Sequence, residues 1–100
     1  MKVTIPVEAG NRTAKDGTMG SIIGSILQDM KPEAAYFLTE NGRRTAHVYF
    51  EMEDANRIPA VAEPWFLAFD ATVEIQPVMI PEDLANASED IATAVQTYSR

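Results

Sequence analysis

The 100-residue sequence predicts an α+β fold, one small domain in which two helices cover one side of a four-stranded antiparallel sheet. Short segments that alternate apolar and polar residues, as half-buried strands do, occur at four places in the chain. Between them lie two segments whose apolar residues recur every three or four positions, as in amphipathic helices. Hydrophobic residues make up 46% of the chain, which is enough to build a core at this length.

The first strand and the first helix are predicted in the N-terminal third. Residues 2–7 alternate apolar and polar side chains, which predicts a strand. Residues 9–15 are polar and are expected to form a loop. Asp16 follows, and its carboxylate is expected to cap a helix by accepting from free N–H groups of the first turn. Residues 19–30 carry one apolar stripe and predict that helix, which Lys31 and Pro32 end.

A β-hairpin is predicted in the middle of the chain. Its strands are residues 33–40 and 43–52, and the second alternates apolar and polar side chains throughout. Asn41 and Gly42 separate the strands, and this pair favours a type I′ turn because both positions need a positive φ.

The second helix is predicted over residues 53–67, and a fourth strand over residues 71–76. Pro59 and Pro64 interrupt this helix, because a proline beyond the first turn removes a hydrogen bond and clashes with the preceding turn. Either the helix begins near Asn56, with Pro59 in its first turn, or it is kinked. Both alternatives stay open.

The last twenty residues predict a helical extension. Pro81 suits the first helical position, and the acidic side chains after it favour the positive end of the helix dipole. Ser88 can cap a second helix, so one helix and two helices are both compatible with residues 81–98. We expect residues 1–80 to form the α+β domain and residues 81–100 to form a C-terminal helical extension of the same domain.

The order strand, helix, hairpin, helix, strand leads to a ferredoxin-like βαββαβ arrangement with strand order 4-1-3-2. Its apolar side packs under the helices and carries Val3, Ile5, Val7, Val48, Phe50, Val73 and Ile75. Its other side is mixed in character and carries Lys2, Thr4, Tyr36, Leu38, Thr45, His47, Tyr49, Glu51, Thr72, Glu74 and Gln76. Such a side either faces water or packs against a second sheet around a semi-polar cavity.

The whole pattern resembles the dimeric α+β barrel superfamily, and most closely its small bacterial members of this chain's length. The segments that carry the resemblance are KPEAAYF at 31–37, the NG turn leading into AHVYF at 46–50, AEPWFLAF at 62–69, VEIQPVM at 73–79 and PEDL at 81–84. The resemblance of the whole pattern covers roughly residues 1–85. The resemblance implies a homodimer whose mixed sheet sides are buried together or line a pocket.

The same superfamily includes cofactor-independent monooxygenases, haem-degrading enzymes and lactone isomerases. Their site residues have no match in this chain. The haem-degrading members use an Asn, a Trp and a His in an order that the chain does not reproduce, because its only His precedes its only Trp. The resemblance therefore carries over no functional residue.

Candidate site residues lie on the mixed side of the sheet. His47, Tyr49 and Glu51 follow one another at spacing two, so they share a face of the third strand. His47 is the candidate catalytic residue, since imidazole is a natural acid or base near neutral pH. Antiparallel pairing of strands 1 and 3 is expected to bring Lys2 near Glu51. The expected ligand-binding set is Tyr36, His47, Tyr49, Glu51 and Glu74. The alternative is that these groups only satisfy one another in a dimer interface.

Composition excludes several function classes. The net charge of −7 argues against nucleic acid and anionic membranes as partners, because both are bound by clustered cations. One His and no Cys argue against a metal site, because the chain lacks the usual nitrogen and sulfur ligands, and no cofactor is expected. The sequence has no apolar run of about 18 residues and no signal-peptide pattern at its start, so a cytoplasmic location is expected. Gly20 and Gly24 lie inside the first helix and are interpreted as sites of close packing rather than as part of a phosphate loop.

Three hypotheses about function follow. The first is a homodimer that binds a small organic ligand in a cavity near the facing sheets. The second is a cofactor-independent monooxygenase or isomerase of a small carbonyl or aromatic compound, with His47 as acid or base. The third is a structural or interaction module with no ligand. The apolar stripe of the tail, formed by Leu84, Ile91, Val95 and Tyr98, is expected to clasp the partner subunit.

Overall fold

A four-stranded antiparallel sheet with order β2-β3-β1-β4 is the centre of the computed structural model, which describes residues 1–99. The order is the predicted one read from the opposite edge, so the α+β class and the sheet are confirmed. The elements are β1 (Lys2–Ile5), α1 (Val7–Lys15), α2 (Met19–Met30), β2 (Ala34–Glu40), β3 (Arg43–Tyr49), a 3-10 turn (Ala55–Arg57), α3 (Ile58–Phe69), β4 (Thr72–Glu74), α4 (Pro81–Asn86) and α5 (Ser88–Tyr98).

The helices cover one side of the sheet and form the core with it. Trp65 and Phe69 of α3 are fully buried, with ring centroids 6.2 Å apart, and they contact a core that includes Val3 and Val48. α2 contributes Ile26 and a row of half-buried apolar side chains. The α3 helix begins at Ile58, which places its first proline in the first turn. This agrees with the first alternative in placing Pro59 in the first turn, although a 3-10 turn occupies Ala55–Arg57 and Pro64 lies inside the helix.

Residues 7–15 form helix α1, so the predicted loop is wrong, and Val7 lies in this helix rather than in the first strand. Pro6 ends β1 and stands at the N-cap of α1. The buried face of α1 consists of Ala9, Gly10 and Thr13, whose small side chains give only a weak hydrophobic pattern. The helix is nevertheless consistent with its charges, since an acidic residue lies in its first turn and basic residues lie in its last.

Asp16 does not cap α2, so this expectation is also wrong. It stands at the C-terminal end of α1, and its carboxylate accepts a hydrogen bond from the backbone N–H of Thr18 at 2.9 Å. Thr18 is itself the N-cap residue of α2. The two bonds from the amide and the hydroxyl of Thr18 lower the pKa of Asp16. Asp16 therefore shapes the turn between two helices.

Gly20 and Gly24 do not serve close packing inside this chain. A Cβ atom built on either residue meets open space, because apart from the adjoining residues and backbone of α2 itself no atom of residues 1–99 lies within 4 Å. Both face away from the sheet, where the outer surface of α2 is exposed.

The C-terminal segment is two helices, α4 and α5, joined at Ala87. No residue of either helix is buried, and the two pack mainly on each other. The chain is 59 Å long, and its radius of gyration is 17.7 Å, against roughly 13 Å for a compact domain of this size. We call residues 76–98 the arm. None of the helices in residues 1–99 combines the length and the apolar character needed to cross a membrane.

Candidate functional site

The side of the sheet that the helices leave uncovered is the candidate site, and we call it the open face. Alternation along the strands assigns to it Lys2, Thr4, Tyr36, Leu38, Glu40, Arg43, Thr45, His47, Tyr49, Thr72 and Glu74. This face combines exposed aromatic side chains with titratable ones. It is the mixed side that the sequence predicts, apart from the residues that lie beyond the strand ends.

Strand register places four side chains in one row across the sheet. Tyr36 of β2 pairs with His47 of β3, His47 pairs with Lys2 of β1, and Lys2 pairs with Glu74 of β4. Neighbouring strands lie about 4.8 Å apart, so adjacent members of this row are within contact distance. The row brings together three of the five predicted ligand-binding residues, namely Tyr36, His47 and Glu74.

Tyr49 joins them through an aromatic contact. Its ring lies edge-on to the ring of Tyr36, with centroids 6.4 Å apart and planes at 73°. Such edge-to-face pairs are favourable by about 0.5–1.5 kcal/mol beyond the area they bury. Both rings nevertheless stay in contact with water, because Tyr36 is 62% exposed and Tyr49 is 41% exposed. Two large apolar side chains thus share one exposed surface.

Lys2 is held between two carboxylates. Its ammonium forms an ion pair with Glu40 and lies 4.0 Å from the carboxylate of Glu74. The hydrogen bond between Lys2 and Glu40 raises the pKa of the ammonium and lowers the pKa of the carboxyl. Both groups are therefore charged at neutral pH, and the ammonium is already compensated. The pair runs diagonally over Thr45, which is only 3% exposed.

Glu40 is a residue of the face that the predicted set missed. It lies four residues after Tyr36 on β2, and the alternation of the strand puts both on the same side. That signal is present in the sequence. The pairing with Lys2 is not, because it depends on a diagonal contact across three strands.

Glu51 lies outside the row. β3 ends at Tyr49, three residues earlier than predicted, so Glu51 follows the strand instead of extending its face. The expectation that Lys2 lies near Glu51 is wrong, because register places Lys2 opposite His47. Glu51 instead lines a cleft of about 610 Å³ at this end of the sheet, which it shares with Tyr49. Apolar side chains dominate the remaining wall, including Met1, Ile58, Ile75 and Val78.

This cleft has two separate walls. One is the body of the domain, where the terminal amine at Met1 donates a hydrogen bond to the carbonyl oxygen of Val48 at 2.9 Å. Partial burial lowers the pKa of this amine. The other wall is the extended chain that leaves β4, with Pro77 and Val78. The volume is within the range of sites for small molecules, which is about 300–1,000 Å³, although the cleft is open to solvent.

Across residues 1–99 no group of three or more His, Asp or Glu side chains is placed to hold a metal ion. The open face instead offers phenol hydroxyls, one imidazole and a neutralised ion pair, which are groups that hydrogen-bond and transfer protons.

Comparison of this chain with models of protein families, with curated proteins and with solved structures finds no match.

Proposed function

We propose that the chain works as a homodimer of the dimeric α+β barrel type and binds a small organic ligand between the two open faces. One observation supports this most directly. The open face carries an exposed aromatic pair, Tyr36 and Tyr49, next to the titratable side chain of His47. Exposed apolar groups rimmed by polar ones are typical of binding surfaces.

A second copy is the natural cover for this surface. Packed sheets lie about 10 Å apart, and their side chains interdigitate between them. Tyr36 and Tyr49 stand above the sheet and would fill part of that space, while the smaller side chains of Thr4 and Thr72 leave room beside them. Two such faces related by a two-fold axis enclose a space with aromatic walls and a polar floor.

The chemistry of the face selects a neutral aromatic or carbonyl compound. Aromatic rings supply stacking area, and the hydroxyls of Tyr36 and Tyr49 supply hydrogen bonds to a carbonyl or phenol oxygen. An anionic ligand is disfavoured, because the cation on Lys2 is already paired with Glu40 and lies near Glu74. The cleft beside Tyr49 extends the apolar surface towards Glu51, which keeps that residue in the proposed binding set.

The test uses 4-hydroxybenzaldehyde as the probe and NMR as the readout. His47 is the only histidine and Trp65 the only tryptophan, so each gives one resolved side-chain signal. We expect a saturable shift of the imidazole signal of His47, while the signal of the buried Trp65 indole stays in place. Tyr36→Leu should raise the dissociation constant of the probe at least tenfold. Leu67→Ala, at an exposed position of α3, should leave this constant unchanged. Absence of any shift at millimolar probe, in a protein that is dimeric, would leave the third hypothesis, a module without a ligand.

A second candidate is a cofactor-independent isomerase or monooxygenase, and the position of His47 favours it. Its imidazole lies in the row beside Tyr36, where it can take a proton from a carbon next to a carbonyl while the hydroxyl of Tyr36 donates a hydrogen bond to the enolate oxygen. The test is deuterium exchange into the methyl group of acetophenone in D₂O. His47 would remove a proton and the enolate would take back a deuteron from solvent. His47→Gln should abolish exchange above the buffer rate, whereas equal rates for both proteins would exclude this role.

A further inference from the structure

The arm is amphipathic, and its apolar side chains are exposed instead of packing on the domain of residues 1–99. Val95 is 56% exposed, Ile91 is 51% exposed and Tyr98 is 83% exposed, and all three lie on one stripe of α5. Leu84 of α4 is exposed to a similar degree. The arm also extends away from the domain, as the 59 Å length shows. A helix stripe of this kind is stable in water only when it packs against another apolar surface.

One side chain on the helix-covered side of the sheet also lacks a partner. Phe37 of β2 points to the same side as Val3 and Ala46, with which it shares a row. Val3 and Ala46 are buried, whereas Phe37 is 55% exposed, because the helices do not extend over the β2 edge. β2 is moreover an edge strand of seven residues, and long apolar edges are normally covered.

The arm is acidic, and one cationic side chain lies near Phe37 on the neighbouring strand. Residues 76–98 contain four acidic side chains, Glu82, Asp83, Glu89 and Asp90, and no Lys or Arg. Beside Phe37, on the same side of the sheet, Arg44 pairs with Thr39 and its guanidinium donates to Asn11 at 3.1 Å. Arg44 therefore offers the acidic arm one positive charge close to Phe37.

The strand order and the direction of the two-fold axis together determine which copy's β2 edge lies near the arm. The arm leaves the sheet at β4, and the edge at β2 of the same chain is three strands away. A two-fold axis that runs between two stacked faces, parallel to the strands, reverses the strand order and brings β4 of one copy over β2 of the other. Sheets stacked in this way are about 10 Å apart. The partner's β2 edge is then closer to the arm than its own.

The area of the open face gives a further reason. The four strands contain 21 residues in total, and at about 3.3 Å per residue and about 4.8 Å between strands they give a face of roughly 330 Å². A standard interface buries about 800 Å² on each partner, so the open face alone is too small. α4 and α5 contain 6 and 11 residues, and together they are about 26 Å long and about 10 Å wide. Each copy both gives and receives an arm, which adds about 520 Å² and brings the interface to the usual size.

We propose that two copies of this chain exchange their arms, so that the stripe of Ile91, Val95 and Tyr98 packs on Phe37 at the partner's β2 edge. This inference rests on the proposed dimer. It adds a second contact surface to it, and it gives the acidic C-terminal helix a function in assembly.

Disulfide trapping tests the exchange in the full chain, which contains no cysteine of its own. Thr39 is exposed, two residues after Phe37 on the same side of β2, so Thr39→Cys places a thiol beside the docking position and keeps Phe37. It is combined with Ile91→Cys or Val95→Cys on the stripe. The matched controls combine it with Thr93→Cys or Gln96→Cys on the opposite face of α5.

We expect the stripe pairs to form a link between chains, seen as a covalent species of twice the 11.0 kDa chain mass, at least tenfold faster than the control pairs. A link within one chain, which keeps the single-chain mass but consumes both thiols, would show that the arm folds onto its own domain and would overturn the inference. Rapid formation of a disulfide-linked dimer by the single variant Val95→Cys would show that the two arms pack on each other, and it would also overturn the inference. If sedimentation shows a dimer but no disulfide forms between the chains, the exchange of arms is contradicted and the dimer is not. If sedimentation shows a monomer, the proposed dimer itself is contradicted.

Discussion

Replacing Tyr36 with alanine removes the largest apolar contact that the open face offers to a second copy. The ring is 62% exposed in the single chain. A tyrosine has about 200 Å² to bury, so about 120 Å² remains available to a partner. At about 25 cal/mol per Å² this area is equivalent to about 3 kcal/mol for each copy, and symmetry doubles it. Association retains only part of such a gain, and half of it still raises the dimer dissociation constant about a hundredfold.

Sedimentation equilibrium over a range of protein concentrations measures this constant directly, because a dimer has twice the mass of the 11.0 kDa chain. Dilution is preferable to denaturation here, since Tyr36→Ala also removes the contact with Tyr49 inside each chain. That loss changes the free energy of unfolding by about 1 kcal/mol and would confuse a denaturation experiment.

Leu67→Ala is the matched control. Leu67 is 80% exposed on α3, on the side of the molecule away from the open face, and its replacement should leave the dissociation constant unchanged. Equal constants for wild type and Tyr36→Ala would refute the reasoning, because they would show that the open face stays in water. Equal weakening by both variants would refute it as well, since the effect would then not depend on the face.

Three further predictions concern the arm, the ion pair and the core. Val95→Asp puts a charge on the apolar stripe and should raise the dimer dissociation constant at least tenfold by sedimentation, while Gln96→Glu on the opposite face should not. The lowered pKa of Glu40 means that its charge stabilises the fold above the ordinary carboxyl pKa of 4.5 and that this contribution is lost as the pH falls through the lowered value. The difference in thermal midpoint between wild type and Glu40→Gln should therefore be present at pH 7 and vanish in acid, and a constant difference would contradict it. Trp65 is fully buried, and within residues 1–99 its indole N–H has no hydrogen-bond partner. Trp65→Phe removes a donor whose burial costs about 1–3 kcal/mol and leaves a cavity that costs about 1–2 kcal/mol, so urea unfolding followed by circular dichroism should change by less than about 1.5 kcal/mol. A loss above about 3 kcal/mol would mean that the N–H is bonded.

Local chemistry explains the elements that were predicted well. The hairpin follows from Asn41 and Gly42, which have φ values of 53° and 75°, as a type I′ turn requires. The helix over residues 19–30 follows from a stripe of large apolar side chains. α1 escaped prediction because its buried face is made of Ala9, Gly10 and Thr13, and only the surrounding structure shows that such small residues are covered.

The sequence predicted which side of the sheet the candidate residues occupy, but not which of them lie next to one another. Period-two alternation put Tyr36, His47 and Tyr49 on the same side as Lys2. Alternation does not fix the register between β3 and β1. In the structure Lys2 pairs with His47 and does not lie near Glu51. Glu40 joined the site for the same reason, through a contact between residues far apart in the chain.

The amino-acid sequence alone indicated where along the chain the four strands lie, where the hairpin turns, which side of the sheet is mixed in character and that the tail is amphipathic. These properties depend on side-chain size, backbone torsion preference and spacing within a few residues. The tertiary structure alone decided the register of the strands, the row from Tyr36 to Glu74, the exposure of Phe37 and the separation of the arm from the domain. Each of these depends on packing between distant segments, whose relative position no local preference fixes.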